Sequence, residues 1–347
     1  MAGVSVQQQG GAPGANAIIS IRGFGTLSDA GPLFVIDGML TGGMGSLNPS
    51  DIESVSVLKD ASASAIYGSR AANGVVIITT KKGTRGKVSV DFDLSSGTAN
   101  VINQFDWADA RQYADIVNRA DDNDGVPRTP ANDTEFNPNN TSNLYDESLR
   151  TAWVHNANVR LYGGGENTLY NLSLSYYDQE GIVRYSDFDR FTARANGSFT
   201  KGRFKLENTI GLTRTVNNPN PYFNKERNLL PTIRLRDDNG DWSVSDIPDE
   251  PGAPTLGSFY GQGTIRNELG MAALEDRTIT RYTLLGNIAA SYEIFNGLVY
   301  KLNLGTEFYD QNNYTFTPLH PVFIGGGNND FAELSERNTR FRSGLIE

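Results

Sequence analysis

Residues 60–83 read DASASAIYGSRAANGVVIITTKKG, a stretch that holds three different backbone signals in quick succession. The Ala- and Ser-rich run 61–67 follows Asp60, a residue type that caps helix N-termini, so it predicts a short helix. Asn73-Gly74 is a turn signal, and the β-branched residues Val75–Thr80 after it favour a strand. A helix, a turn and an apolar strand placed so closely together indicate a small, compact α/β unit.

The residues before this stretch continue the same mixed pattern. Strands are predicted at 18–23 and 33–38, and Asn48-Pro49 has the residue types of a helix start, a cap followed by proline. The run 54–59 alternates valine with serine and predicts a further strand. Residues 1–82 contain five acidic and five basic side chains, so this unit has no net charge.

Beyond residue 86 the sequence alternates apolar and polar residues with a period of two, as strands with one apolar face do. Leu172, Ser173 and Leu174 are one example. The alternating runs cover 88–94, 170–176, 191–199, 204–212, 282–294 and 298–308. The longer runs reach the ~9–11 residues that a tilted strand needs to cross a bilayer.

The connections between these runs are of two kinds. Lys201-Gly202 and Asn296-Gly297 are tight hairpin turns. The other connections are long, and they cover 97–152, 217–280 and 312–335. Apolar residues at helical spacing predict a helix at 106–120 within the first of these. Short turns at one end of the strands and long loops at the other are typical of outer-membrane β-barrels.

Composition excludes several classes of protein. The chain has no cysteine, which rules out disulfides and cysteine nucleophiles, and it has only two histidines. No apolar run approaches the ~20 residues of a spanning helix. The formal net charge is −10, and residues 91–147 carry twelve acidic and three basic side chains, so nucleic acid would be repelled. No arrangement of residues indicates catalysis, and we expect neither an enzyme nor a cofactor or metal site.

The residues from Ala12 to Gly83 resemble, almost without interruption, the plug domain of SusC/RagA-type TonB-linked outer-membrane proteins. The segments that carry this likeness most strongly are Ile21-Arg22-Gly23, Pro32–Gly38 and Val57–Gly83. Residues 171–182 and 188–195 resemble early barrel strands of the same family. The resemblance therefore covers most of the chain.

The resemblance implies a fold class: an α+β plug domain followed by antiparallel transmembrane β-barrel strands in an incomplete barrel. The plug would occupy residues 1–83, and residues 84–347 would form the N-terminal portion of the barrel, with long extracellular loops. Members of the family complete a barrel of ~22 strands, whereas we count about eight strands in this chain. We therefore expect this chain to be part of a longer protein and not to transport by itself.

The resemblance also implies a function, the TonB-dependent import of an oligosaccharide or peptide nutrient with the plug gating the barrel. The implied partners are TonB with ExbB and ExbD in the periplasm, a SusD-like surface lipoprotein, the glycan or peptide cargo, and outer-membrane lipid. The implied location is the outer membrane of a Gram-negative bacterium of the Bacteroidota type. Import breaks no covalent bond of the cargo, which agrees with the lack of catalytic residues.

Several residues are candidates for roles in such a transporter. By resemblance, Arg22 and Lys59 occupy plug positions that pair with barrel glutamates, although both could be ordinary solvated charges. Aromatic residues on the long loops could stack on sugar rings or could simply pack: Trp107, Trp242, Phe259 and Tyr260. Other aromatic residues at strand ends are predicted to form a girdle at the membrane interface: Tyr176, Tyr177, Tyr292 and Tyr309.

Two alternatives stay open at this point. The chain could belong to a siderophore or cobalamin receptor of the wider TonB-dependent superfamily. It could also be a secreted glycan-binding β-sandwich, in which the apolar faces of the strands would point into a core and the strands would be only ~5–6 residues long.

Overall fold

The fold is given by a computed structural model, which describes residues 3–8, 11–15, 17–21, 23, 31–45, 47–59, 67–68, 71–102, 108–128, 144–222, 231, 235–236, 240–242, 267–319 and 332–346. The helix predicted at 61–67 lies outside the described residues apart from Tyr67.

Two small sheets form an N-terminal unit. Strands β1 (Val4–Gln8) and β2 (Ala17–Ile21) pair antiparallel. Strands β3 (Leu33–Ile36), β4 (Met39–Thr41), β5 (Ile52–Leu58) and β6 (Val75–Thr80) form a mixed sheet in the order β4-β3-β6-β5. β3 and β6 run parallel, whereas the other two pairs are antiparallel. The strand predicted at 75–80 is confirmed at both ends.

The core of this unit is centred on β6. Val75, Val76 and Ile78 are almost fully buried, which explains why the strand reads as an unbroken apolar run. Ile78 belongs to a cluster with Ile21, Ile36, Met39, Leu47 and Val76, and Leu285 from the second half of the chain completes this cluster. The N-terminal unit therefore shares its core with the strands that follow.

Those strands form one antiparallel sheet of eight in chain order. They are β7 (Gly86–Ala99), β8 (Ala152–Gly164), β9 (Thr168–Glu180), β10 (Asp187–Lys201), β11 (Phe204–Asn218), β12 (Asp276–Phe295), β13 (Leu298–Thr317) and β14 (Ala332–Ile346). Lys201-Gly202 and Asn296-Gly297 form the predicted hairpin turns, with both glycines at positive φ. The tight turns after β8, β10 and β12 lie at one end of the sheet, which we call the hairpin end. The long connections and the short one between β9 and β10 lie at the other end, which we call the long-loop end.

The described residues of the long connections contain three α-helices: α1 (Ala110–Asp124), α2 (Leu144–Ser148) and α3 (Glu268–Leu274). α1 is the helix predicted at 106–120, and it begins and ends four residues later than predicted. Its start is fixed by a capping box between Asp109 and Gln112, and Gly125 ends it in a left-handed conformation. No helix within the described residues is long and apolar enough to cross a bilayer.

The two faces of the eight-stranded sheet have opposite polarity. Its outer face keeps large apolar side chains between 37 and 70% exposed: Val90, Phe92, Leu94, Leu161, Leu172, Leu174, Phe191, Ile210, Leu212, Leu284, Ile288 and Leu304. Its inner face, toward the N-terminal unit, buries polar side chains: Asn158, Asn171, Ser173, Thr192, Arg194, Asn196, Thr213, Thr283 and Asn287. The apolar faces of a β-sandwich meet in its core. The β-sandwich alternative is therefore wrong.

Two rows of aromatic residues border the outer apolar face. One register row near the long-loop end contains Tyr176, Phe191 and Tyr282, and another near the hairpin end contains Phe204, Tyr292 and Tyr300. Tyr282 and Tyr292 are ten residues apart on β12. At ~3.3 Å per residue and a tilt of ~40°, the two rows stand ~25 Å apart, the usual height of an outer-membrane apolar band.

The predicted girdle is correct for Tyr176 and Tyr292 and wrong for Tyr177 and Tyr309. Neighbouring residues in a strand point to opposite faces, so Tyr177 faces inward when Tyr176 faces outward. Tyr177 lines an inner-face cavity beside Gly14 of the N-terminal unit, and Tyr309 lines a second one beside Gly42.

Candidate functional site between the N-terminal unit and the sheet

A single buried arginine lies at the centre of the contact between the N-terminal unit and the sheet. Arg194 occupies an inner-face position of β10 between Thr192 and Asn196, and its side chain is 1% exposed. Its Nη1 lies 3.8 Å from Asp37 Oδ2, and its Nε lies 3.8 Å from Asp51 Oδ2. Both carboxylates belong to the N-terminal unit, so the ion pairs join the two parts of the chain.

These ion pairs bring opposite charges near each other but do not have hydrogen-bond geometry. Both distances exceed the range of a hydrogen bond. All three guanidinium nitrogens of Arg194 and Oδ2 of Asp51 lack hydrogen-bond partners among the described residues. The attraction is therefore mainly electrostatic, and burial keeps water from screening it.

Local structure fixes both carboxylates. Asp37 follows β3 with φ of 48°, and its carboxylate accepts hydrogen bonds from the backbone N and the Oγ1 of Thr80, at 2.8 and 2.7 Å. Asp51 ends a short 3-10 turn, Pro49–Asp51, which Asn48 caps by accepting a hydrogen bond from the backbone N of Ser50. The Asn48-Pro49 signal in the sequence therefore marks the turn that places the Asp51 carboxylate opposite Arg194.

Polar contacts surround the arginine. Asn196 Nδ2 donates to Thr80 Oγ1 at 3.1 Å and to the backbone O of Lys81 at 2.8 Å, and Asn287 Nδ2 donates to the backbone O of Asp37 at 2.8 Å. At the hairpin end, Lys82 Nζ pairs with Glu207 at 2.8 Å. We call Arg194, Asn196, Asp37, Asp51 and Thr80 the lock cluster. Its charged and amide groups join the two units across their boundary.

Apolar contacts complement the lock cluster. Leu285 of β12 is 4% exposed and packs with Ile36 and Met39. Gly305 of β13 makes room for Met39, because a Cβ at that glycine would lie 2.8 Å from Met39 Cγ. Phe188 of β10 and Val154 of β8 are further apolar residues on the inner face, and Phe188 lies against Gly14 of the N-terminal unit. Most of the other buried side chains on this face are polar.

Comparison with known proteins identifies this arrangement. A family model for the TonB-dependent Receptor Plug Domain matches residues 1–75. TonB-dependent receptor SusC of Bacteroides thetaiotaomicron is 34% identical over 293 residues, which cover 73% of this chain and 28% of that receptor. TonB-dependent receptor P3 of Formosa agariphila is 32% identical over 358 aligned positions, which cover 97% of this chain and 32% of that receptor. A structure of the RagAB peptide transporter matches with a TM-score of 0.75 and 25% identity, over 99% of this chain and 41% of the matched chain.

The chain belongs to the SusC/RagA-type TonB-dependent receptors. Its N-terminal unit is the plug, and its eight-stranded sheet is part of the barrel wall. The predicted fold class is thereby confirmed. The chain spans about a third of the length of these curated relatives.

Two adjoining cavities lie between the plug and the wall of this receptor, on the long-loop side of Arg194. Their volumes are about 220 and 450 Å³, and both are lined by Gly45, Thr215 and Arg281. Gly42 and Gly43 line the smaller one, and Arg190 lines the larger one. Within the described residues no cluster of histidine and carboxylate side chains could hold a metal ion.

The predicted contact residues of the plug have different outcomes. Arg22 lies outside the described residues. Lys59 is exposed at the end of β5, and its pairing with a barrel glutamate stays a prediction. The charges of the lock cluster are arranged in the opposite way to the expected one, in which the plug supplied the cations and the barrel the acids. Here the wall supplies the central cation and the plug supplies the acids. Sequence reasoning missed Arg194, although a charge at an inward position of an alternating strand was a visible signal.

The predicted loop aromatics fall mostly outside the described residues, where Trp107, Phe259 and Tyr260 lie. Trp242 is half-buried, and the Arg236 guanidinium carbon lies 3.8 Å from the centre of its ring. Trp242 also packs against a small apolar cluster that contains Tyr222. Burial and a hydrogen bond to Glu275 raise the pKa of Tyr222.

Proposed function

We propose that the protein imports an oligosaccharide or peptide nutrient across the outer membrane, driven by TonB. The observation that carries this proposal is the polar boundary between plug and wall, with Arg194 held between Asp37 and Asp51. A plug that must separate from the wall is released more easily when water can replace its contacts with the wall. Charges and amides are hydrated readily once exposed, whereas an extended apolar contact would resist separation.

The wall supports a location in the outer membrane. Its exposed apolar face, bordered by two aromatic rows, suits contact with lipid. The short turns at one end and the long loops at the other indicate how the wall is oriented in the membrane. The hairpin end then faces the periplasm, where TonB with ExbB and ExbD would pull on the plug. The long-loop end faces outward, where a SusD-like lipoprotein would cover the cargo. Import of this kind requires no catalytic residue and no cofactor.

We extend the proposal to the loop aromatics Trp107, Trp242, Phe259 and Tyr260 as cargo contacts on the outer side. Trp242 is the member whose surroundings are described, and Arg236 already stacks on its ring. Alanine at Trp242 should weaken cargo binding by the ~1–3 kcal/mol typical of an aromatic contact. Phenylalanine at the same position should keep most of this binding.

The test uses the full-length receptor in its own host. A strain that lacks the receptor is compared with the complemented strain for uptake of fluorescently labelled oligosaccharide and peptide pools, with and without depletion of TonB. We expect the receptor in the outer-membrane fraction and uptake that needs both the receptor and TonB. The same assay with ferric siderophores and cobalamin examines the alternative cargo.

Uptake that persists after TonB depletion would contradict the proposal, as would a receptor found outside the outer membrane. Receptor-dependent uptake of siderophores or cobalamin alone would replace the nutrient assignment and keep the energy-coupled mechanism.

A further inference from the structure

We infer that the cargo presents a carboxylate to Arg190 and Arg281 in the two cavities above the plug, an inference that rests on the proposed import function. Register pairs Arg190 of β10 with Thr215 of β11, and Thr215 with Arg281 of β12. The two arginines therefore face the inner side at the same height, ~10 Å apart at the backbone given the spacing of neighbouring strands. Both line the larger cavity.

Within the part of the chain that the structure describes, neither guanidinium group makes a direct ion pair. Arg190 lies over the ring of Tyr177, with 5.3 Å to its centre, and its buried Nε has no hydrogen-bond partner among the described residues. Arg281 donates from Nε and Nη2 to Oε1 of Gln311, at 3.2 and 2.9 Å. A neutral amide thus orients Arg281 and leaves its charge available.

The local charge is positive after the nearby acids are counted. Arg340 also lines the smaller cavity, and the acid that lines it is Glu307. Asp51 is the other nearby carboxylate, and it faces Arg194 at 3.8 Å. The larger cavity is therefore lined by two arginines and by no carboxylate among the described residues.

The floor of the cavities leaves room for a ligand. Gly42, Gly43 and Gly45 of the plug line the smaller cavity. A Cβ added at Gly43 would have no neighbour within 4 Å, so the space above the plug backbone is open there. A cargo group can therefore reach both arginines directly above the plug.

A carboxylate is the group that this site recognises best. Guanidinium groups bind carboxylates through paired, charge-assisted hydrogen bonds. The rings of Tyr177 and Tyr309 beside the arginines add flat surfaces for the part of the cargo that carries the charge. The carboxylate can come from a uronic acid in a glycan or from an acidic peptide, and the binding test separates these sources.

The test measures binding by calorimetry to the purified full-length receptor in detergent. Two probe pairs compare an acidic ligand with a carboxylate-free partner: tetragalacturonate against its full methyl ester, and the peptide Gly-Ala-Ser-Glu against the amide of Gly-Ala-Ser-Gln. We expect the acidic member of one pair to bind at least about tenfold more tightly than its neutral partner. Arg190→Gln and Arg281→Gln should each abolish this preference, and Arg281→Lys should retain part of it.

Arg214→Gln is the matched control, because Arg214 lies on β11 beside Thr215 but points to the outer face. It removes the same charge and should leave the preference unchanged. Equal binding within both pairs, no binding of either acidic probe, or an equal loss in the Arg214 variant would overturn the inference. The binding assay needs no energy source, so TonB-dependent uptake with no acidic preference would reject the carboxylate and leave the proposed function intact.

Discussion

Replacing Arg194 with methionine should loosen the docked plug while the wall strands keep their pairing. Methionine fills a similar length, but Asp37 and Asp51 lose the cation that faces both at 3.8 Å. Asp37 keeps its two hydrogen bonds from Thr80, whereas Asp51 Oδ2 has no such bond among the described residues, so Asp51 bears most of the cost. Removing one partner of a buried charge pair costs ~3–5 kcal/mol. The undocked plug should therefore be populated roughly two to four orders of magnitude more.

Hydrogen exchange in the full-length receptor measures this change. The backbone amides of β6 should exchange faster in the Arg194→Met variant, while those of β10 and β11 stay protected. Adding Asp51→Asn removes the stranded charge and should restore part of the protection, as a double-mutant cycle. Unchanged exchange in the single variant, or no coupling between the two substitutions, would refute the account of the lock cluster.

Three further predictions concern neighbouring features. Leu285→Ala should weaken plug docking by ~2–5 kcal/mol, measured by denaturant unfolding, whereas Leu284→Ala on the outer face should barely affect docking. Gly305→Val should force the plug methionine aside at a cost of ~1–3 kcal/mol, detected as faster proteolysis of the plug. The raised pKa of Tyr222 means that the folded protein holds this proton more tightly than the unfolded chain. The stability that the protonated Tyr222 contributes to the folded protein is therefore present below pH ~10 and is lost as the pH rises further. An ultraviolet titration follows the ionisation of Tyr222, and Tyr222→Phe should remove this pH dependence.

Local patterns in the sequence predicted most of the wall. Alternation and hairpin turns depend on neighbouring residues, so six of the eight strands and two of the tight turns could be located without tertiary information. Alternation could also have corrected the prediction of the aromatic girdle, because Tyr176 and Tyr177 are adjacent and cannot share a face. The start of α1 was also visible in the capping box formed by Asp109 and Gln112.

The lock cluster was harder to predict because it depends on contacts distant in sequence. Alternation alone places Arg194 inward, but its pairing with Asp37 spans most of the plug and three wall strands. The resemblance suggested basic plug residues opposite barrel acids, and this receptor places its central cation on the wall. Docking, rather than any local pattern, decides which carboxylates meet that cation.

The central claim is that the plug must separate from the wall during import, and a reversible cross-link tests it most directly. A Cβ at Gly305 would lie 3.7 Å from the Cβ of Met39, within the ~3.5–4.5 Å that a disulfide needs. The chain has no cysteine of its own. The Met39→Cys, Gly305→Cys receptor should bind cargo when oxidised yet import none, and reductant should restore import to the level of the single variants. Undiminished import by the fully cross-linked receptor would contradict the claim.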